Sequence, residues 1–174
     1  MSAPQAPALS RATVEFLARR HGHFIGGKWK ASASGETFRI FDPATGADLG
    51  ECAAGDAPEI DAAVRAARAA FEGPWSKFTA AQRGAVLWKI SELVQQNFQQ
   101  LCELEILDNG LPTPLAQYVC GMFVPEFFRY YAGWPTKIEG STIPASPQGK
   151  LPGDVLTFTL REPLGVVGAI TPWN

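Results

Sequence analysis

The carboxyl end of the sequence carries the residue with the clearest chemical potential, an asparagine that follows a proline and a tryptophan. The side-chain amide of Asn174 offers two N–H donors and no charge, so it can hydrogen-bond an oxyanion that develops on a carbonyl substrate. An isolated asparagine at the start of a loop more often caps a turn. Its position alone leaves both interpretations open, and the surrounding residues must decide.

An apolar, β-branched run, residues 164–170, leads into this asparagine. Such runs are typical of strands that are buried on both faces of a parallel sheet. Open α/β sheets bind ligands at the carboxyl ends of their strands, where residues 171–174 would lie. A buried parallel strand also needs neighbours joined by long crossover connections. We therefore expect these 174 residues to be the front part of a longer polypeptide.

The cysteines and histidines do not form a catalytic or metal-binding pattern. Cys52, Cys102 and Cys120 are widely spaced and lack a C-x-x-C pair, which favours reduced thiols. No basic cluster near them would lower a thiol pKa, so none is predicted to be a nucleophile. His21 and His23 are too few for a metal site, and the sequence predicts none.

Composition narrows the classes of partner. The 15 basic and 17 acidic residues give a net charge of −2, which provides no electrostatic reason to expect nucleic acid or a membrane surface. No secretory signal and no membrane-spanning apolar run is visible. We expect a cytoplasmic protein with a small-molecule partner.

The chain before this strand predicts a layer of small antiparallel strands followed by helices. Gly26-Gly27 can supply the positive φ angles of a tight hairpin turn. Residues 38–41 alternate like a strand, and turn chemistry at 42–46 precedes an antiparallel return over 47–53. Ser10 can cap a short first helix that ends near Arg20.

Capping signals and apolar spacing predict the later helices. Asp56 with Glu59, and Thr79 with Gln82, have the form of capping boxes. The second box opens a long helix that should end near Asp108. A further helix should begin with Thr113 as its cap, run to about residue 132, and kink near Pro125.

Residues 137–143 and 155–160 predict two polar-apolar strands around a Pro- and Gly-rich connection. A two-stranded pair is marginally stable alone and tends to join another sheet. A protruding hairpin that pairs with another subunit is one interpretation.

Several stretches of the chain resemble the aldehyde dehydrogenase superfamily. They stand in the family's order and approximate spacing: F-I-G-G-K-W at 24–29, D-P-A-T-G at 42–46, L-D-N-G at 107–110, Y-Y-A-G-W at 130–134, and the stretch 161–174 that ends in P-W-N. The resemblance implies an α/β fold, specifically the N-terminal part of the aldehyde dehydrogenase fold. That part comprises small antiparallel strands, helices, a protruding β-hairpin and the first strand of a Rossmann-like parallel sheet.

The resemblance also implies a domain organisation. Residues 1–136 correspond to the N-terminal part of the cofactor-binding domain, residues 137–160 to a bridging hairpin, and residues 161–174 to the first strand of the dinucleotide-binding sheet. A homodimer or homotetramer is expected.

The implied activity is oxidation of an aldehyde to a carboxylic acid with NAD (or NADP), through a thioester on a cysteine. Asn174 matches the family asparagine that stabilises the oxyanion. Ile170, Thr171, Pro172 and Trp173 match the strand end that lines the cofactor cleft. Val119 and Phe123 lie on a helix similar to one that lines the family's substrate tunnel, although an ordinary helix core is an equally good interpretation of both. The stretch 16–22 resembles bacterial phenylacetaldehyde dehydrogenases, and Phe123 on the tunnel helix would suit an aromatic substrate.

The family's nucleophilic cysteine, general-base glutamate and pyrophosphate-binding glycines would all follow Asn174. We therefore expect residues 1–174 to be inactive alone. The alternative is a non-catalytic interaction module that joins a partner chain through the hairpin 137–160 and the open edge at 164–170.

Overall fold

The structure is a computed structural model that describes residues 8–144 and 155–172. A short helix opens the described chain, two short antiparallel strand pairs follow, and a group of helices separates them from a third pair. The elements, in chain order, are α1 (Arg11–Leu17), β1 (His23–Ile25), β2 (Lys28–Lys30), β3 (Thr37–Phe41), β4 (Asp48–Ala53), α2 (Ala57–Glu72), α3 (Ala80–Gln96), α4 (Phe98–Asn109), α5 (Thr113–Tyr118), a π-helical turn (Val119–Phe123), α6 (Val124–Ala132), β5 (Thr142–Ile143) and β6 (Thr157–Phe158). Short 3₁₀ turns cover Pro74–Lys77 and Pro135–Lys137.

The predicted hairpin at residues 24–29 is confirmed. Strands β1 and β2 pair antiparallel, with Phe24 opposite Trp29 and their rings 5.1 Å apart. Gly26 and Gly27 connect them at φ angles of 61° and 77°. Two consecutive positive φ angles match the twist of a tight hairpin, and residues with a β-carbon adopt them only with strain.

The second antiparallel pair, β3 with β4, is also confirmed, although β4 begins at Asp48 rather than at residue 47. Its turn is organised by Asp42, whose carboxylate accepts hydrogen bonds from the Ala44 N–H at 2.8 Å and the Thr45 hydroxyl at 2.6 Å. The bond from Thr45, followed by that from Ala44, lowers the pKa of Asp42. The turn predicted at 42–46 is therefore present, and the ionised carboxylate of Asp42 stabilises it.

Both predicted capping boxes are present. The Asp56 and Glu59 side chains exchange hydrogen bonds with backbone N–H groups at the start of α2, and Thr79 and Gln82 do the same at the start of α3. The Glu59 carboxylate also accepts from the Ala33 N–H at 2.8 Å, which links α2 to the loop after β2. These bonds satisfy N–H groups that have no partner within the helix.

Two details of the helix prediction were wrong. The long helix expected to end near Asp108 is divided at Asn97, whose side chain donates to the Leu93 carbonyl at 2.8 Å and so competes with continuation of the helix. Thr113 is the first residue of α5 rather than its cap; Pro112 occupies the cap position and makes no side-chain hydrogen bond.

The irregularity predicted near Pro125 lies one turn earlier, in the π-helical turn. The Val124 N–H donates to the Val119 carbonyl, five residues back. A proline ring clashes with the carbonyl four residues before it, here that of Gly121, and the wider turn relieves that clash. Gly121 also faces the ring of Phe98, since a β-carbon at position 121 would lie 2.8 Å from its Cε2 atom.

A small apolar core joins α4, α5 and the π-helical turn. Cys102, Ala116 and Cys120 are buried together, and the side chains packed against them are Phe98, Ile106 and Leu111. Helices α3 and α6 form a second, closely packed antiparallel pair. Within residues 8–144 and 155–172, no helix has the length and apolar character required to cross a bilayer.

The final hairpin forms only a minimal pair, with Thr142 opposite Phe158 and Ile143 opposite Thr157. The strand predicted over residues 164–170 does not form: residues 161–172 contain no helix or strand, and no strand within the described ranges pairs with them. Leu164 and Ile170 are almost fully exposed. The pattern indicated a buried strand, but a strand is defined by hydrogen bonds to a neighbour, and the described residues supply none.

Candidate functional site

The structure leaves the predicted oxyanion residue untested, because Trp173 and Asn174 lie outside the described residues. Ile170, Thr171 and Pro172 lie within the described residues, and all three are exposed. They do not line a cleft formed by the described part of the chain. The preceding segment passes α2: a β-carbon at Gly165, which has a φ of 106°, would lie 3.2 Å from Nη1 of Arg68. The assignment of residues 170–174 to a cofactor site stays a prediction.

Phe123, by contrast, lines an open cavity of about 370 Å³, which we call the aromatic groove. Phe123, the last residue of the π-helical turn, and Phe127 and Tyr131 of α6 recur every four residues, which places them on one side of the continuous helical segment. Successive rings along this row are 4.8 Å and 5.9 Å apart. Leu87 of α3 contributes the opposite side, and Val124 and Phe128 complete the lining.

The other predicted tunnel residue, Val119, lies one turn before Phe123 and is half-buried. It is not among the side chains that line the aromatic groove within the described part of the chain. The groove residues that the sequence analysis did not assign to substrate binding are Leu87, Val124, Phe127, Phe128 and Tyr131. The spacing of Phe123, Phe127 and Tyr131 is visible in the sequence, but the contribution of Leu87 depends on how α3 and α6 pack.

The lining of the aromatic groove is aliphatic and aromatic, and the phenol of Tyr131 is the polar group that its side chains carry, so the groove is suited to hold an apolar group. The charged residues next to the groove in sequence, Glu126 and Arg129, are not among its lining side chains, and Arg129 makes other contacts. The guanidinium donates to the Gln95 side-chain oxygen at 2.6 Å, pairs with Glu126 and lies 5.7 Å from the centre of the Trp88 ring. The groove is therefore suited to binding and orienting an apolar ligand.

A second cleft, of about 420 Å³, lies between α1, β4 and α4 and includes Cys52 and Asp108 in its walls. Burial raises the pKa of the Cys52 thiol, and the negative charge of Asp108 raises it further. Burial likewise raises the pKa values of Cys102 and Cys120. All three thiols are unpaired, and none has the electropositive surroundings that generate a thiolate at neutral pH.

Comparison with known proteins identifies the family to which the chain is similar, which the groove alone does not. The sequence model of the aldehyde dehydrogenase family matches residues 29–174. An Arabidopsis thaliana protein, aldehyde dehydrogenase family 2 member B4, mitochondrial, is 45% identical over 151 residues, which are 86% of this chain and 27% of that protein. Human retinal dehydrogenase 2 is 43% identical over 153 residues, which are 87% of this chain and 28% of that protein.

Solved structures agree. The NAD⁺ complex of an aldehyde dehydrogenase from Bacillus cereus superposes with a TM-score of 0.73 at 39% identity, over 80% of this chain and 28% of that one. The chain therefore spans less than a third of the length of these relatives. The family match nevertheless covers most of the sequence, and the fold agrees with it: the chain belongs to the aldehyde dehydrogenase family.

Proposed function

We propose that this chain is the N-terminal part of the cofactor-binding domain of an NAD(P)-dependent aldehyde dehydrogenase. The observation that carries the proposal is the family match over residues 29–174, which includes P-W-N at its end. The reaction is oxidation of an aldehyde, with water as the second substrate, to a carboxylic acid, a reduced nicotinamide and a proton. The cofactor is NAD or NADP, since one structural neighbour has been solved as an NAD⁺ complex and another, from E. coli, is described as NADP dependent.

In this proposal Asn174 donates its side-chain N–H to the oxyanion that forms when a thiolate adds to the aldehyde carbon. Burial raises the pKa values of Cys52, Cys102 and Cys120, which disfavours their thiolates, and we therefore assign that addition to a cysteine outside this sequence, as the family resemblance implies. For the same reason residues 1–174 alone should be inactive.

The described residues near the proposed cofactor site are accessible to a ligand, because Ile170, Thr171 and Pro172 are exposed. Within the described part of the chain, the backbone N–H and C=O groups of Ile170, Thr171 and Pro172 make no hydrogen bond to another backbone group. Together with Trp173 they can contact the cofactor, which accepts a hydride when bound.

Val119 and Phe123 are proposed to line the route of the aldehyde. The aromatic groove supports this role for Phe123, because an apolar wall of mutually tilted rings suits the side chain of an aromatic aldehyde. The hairpin of β5 and β6 is proposed to bridge subunits of a homodimer or homotetramer. A cytoplasmic location stays part of the proposal.

The test is aldehyde-dependent reduction of NAD by the purified, full-length gene product, followed by absorbance, with NADP as the alternative cofactor. We expect reduction that requires both aldehyde and cofactor, and removal of residues after Asn174 should abolish it. A full-length product that reduces neither cofactor with any of a panel of aliphatic and aromatic aldehydes would contradict the proposal.

One observation favours the alternative, an interaction module: Leu164, Val167 and Ile170 are exposed together along a segment that pairs with no strand among the described residues. A module of this kind would form a stable complex with a partner chain and would show no turnover in that complex. Size-exclusion chromatography combined with the activity assay separates the two functions.

A further inference from the structure

Helix α6, which carries the rings of the aromatic groove, touches α3 through two residues with little or no side chain. Gly84 is buried, and a β-carbon there would lie 2.6 Å from the Ala132 carbonyl oxygen. Ser91 is fully buried, and its hydroxyl donates to the Pro125 carbonyl at 2.9 Å. The first contact is steric and the second is polar, and both meet the backbone of α6.

The two contacts lie at opposite ends of α6. Gly84 and Ser91 are about two turns apart on α3. Their partners on α6, Ala132 and Pro125, are separated by the same number of residues in the opposite chain direction. The two antiparallel helices therefore meet near both ends of α6. Leu87 lies between the two contacts along α3 and lines the groove. The separation of two packed helices depends on the size of the side chains at their contacts. Gly84 and Ser91 therefore determine how far Leu87 stands from the rings of α6.

The rings follow the backbone to which they are attached. Phe127 and Tyr131 lie between the two contacts, and Phe123 immediately precedes the end held by Ser91. Pro125 is itself fully buried, so that end has little freedom to adjust without repacking. A change at either contact should alter the groove width rather than a single side-chain rotamer.

We propose that Gly84 and Ser91 are positioning residues that set the width of the aromatic groove and thereby the bulk of the aldehyde side chain it accepts. The inference rests on the proposed function, because it assumes that the groove contacts substrate. Neither residue lines the groove, so each acts through the placement of α6.

The experiment compares kcat/KM for phenylacetaldehyde and for hexanal in the full-length gene product. Ser91→Ala removes only the hydroxyl oxygen and leaves the helix contact small, and Gly84→Ala adds one methyl group against the Ala132 carbonyl. Ser76→Ala is the matched control, since its hydroxyl also donates to a carbonyl, that of Gly73 at 2.8 Å, but on the surface outside the helix pair. Phe123→Ala reports independently on whether the groove contacts substrate.

We expect Ser91→Ala to change the ratio of the two kcat/KM values by about threefold or more, as loss of one buried hydrogen bond allows. Gly84→Ala should change the ratio as well, and Ser76→Ala should not. If Ser91→Ala lowers both kcat/KM values by the same factor, its role is structural and the inference is overturned. Because Ser91→Ala adds no atoms, it carries the test even if Gly84→Ala fails to fold.

The Phe123→Ala variant separates the two possible failures. A changed ratio in Phe123→Ala with unchanged ratios in Ser91→Ala and Gly84→Ala would overturn the positioning role and leave the substrate role of the groove intact. An unchanged ratio in Phe123→Ala would overturn the substrate role, and the positioning inference with it.

Discussion

Glu103 of α4 binds Ser10, 93 residues earlier in the chain, through three hydrogen bonds. The Ser10 N–H lies 3.1 Å and 3.0 Å from the two carboxylate oxygens, and the Ser10 hydroxyl donates at 2.7 Å. The Thr13 hydroxyl donates to the same carboxylate, and Thr13 is fully buried. Ser10 is also the cap of α1. One carboxylate of α4 therefore binds the start of α1 and fixes it against the helices.

We predict that Glu103→Gln lowers the free energy of unfolding at pH 7 by about 1 to 3 kcal/mol, the typical cost of losing hydrogen bonds to a charged group. The amide keeps the shape of the side chain but presents one acceptor atom where the carboxylate presents two. Urea denaturation of the purified protein measures the difference. Glu105→Gln is the matched control, because Glu105 lies on the same helix and, within the described part of the chain, its side chain accepts a hydrogen bond only from the nearby Asn109 side chain.

The effect should depend on pH. Burial acts to raise the pKa of Glu103, but the hydrogen bonds from Thr13, Ser10 and Gln99 outweigh it, and the pKa is lowered. A carboxylate with a lowered pKa contributes stability that is fully present above its unfolded pKa of about 4.3 and is lost as the pH falls through the folded value. The difference between wild type and Glu103→Gln should therefore shrink as the pH is lowered below about 4. A difference that grew in acid would contradict this assignment.

Replacement of Asn174 should separate chemistry from folding. If its amide stabilises the oxyanion, Asn174→Ala should lower kcat by about 10² to 10³, the usual cost of one such donor, and leave KM nearly unchanged. Steady-state kinetics with a single aldehyde measures both constants. Asn97→Ala is a suitable control, because the Asn97 amide only caps the end of α3. Wild-type turnover by Asn174→Ala would contradict the proposed role.

Features that depend on near neighbours in sequence were predictable. The capping boxes at Asp56 and Thr79, and the turn at Gly26-Gly27, each close through atoms a few residues apart, and all of them form as expected. The break at Asn97 was missed because the apolar spacing continues through it, and only the bond from its side chain to Leu93 reveals the competition.

Features that depend on distant residues were predictable only in part. The row of rings on α6 follows from spacing, but Leu87 joins the groove because α3 packs against α6. The link from Glu103 to Ser10 has no local sequence signal. Residues 164–170 have the composition of a buried strand, and yet their partner strands are not supplied by the described residues. Membership of the family came from motifs, whereas the role of Asn174 stays a prediction.

The aromatic groove provides a prediction about substrate binding. Phe123→Ala should raise KM for an aromatic aldehyde by about three- to tenfold, because an aromatic pair contributes about 0.5 to 1.5 kcal/mol beyond the area it buries. A straight-chain aldehyde should be affected less. Phe38→Ala is the control: Phe38 is similarly exposed but lies on β3, outside the groove. Equal effects of the two substitutions on KM would contradict a substrate role for Phe123.

The three thiols provide the last prediction. Cys102 and Cys120 are buried, Cys52 is half-buried, and burial raises the pKa of each. Because the thiolate is the reactive form, iodoacetamide at pH 7 should modify Cys52 slowly and the two buried thiols more slowly still, as mass spectrometry of digested protein would show.

Replacing each cysteine by alanine should leave kcat within about twofold of wild type, since none is positioned as a nucleophile. Two results together would contradict this prediction: rapid alkylation of Cys52 that abolishes turnover, and a Cys52→Ala variant that is folded but inactive. Cys52 would then be the nucleophile, and the reaction would be assigned to this part of the chain.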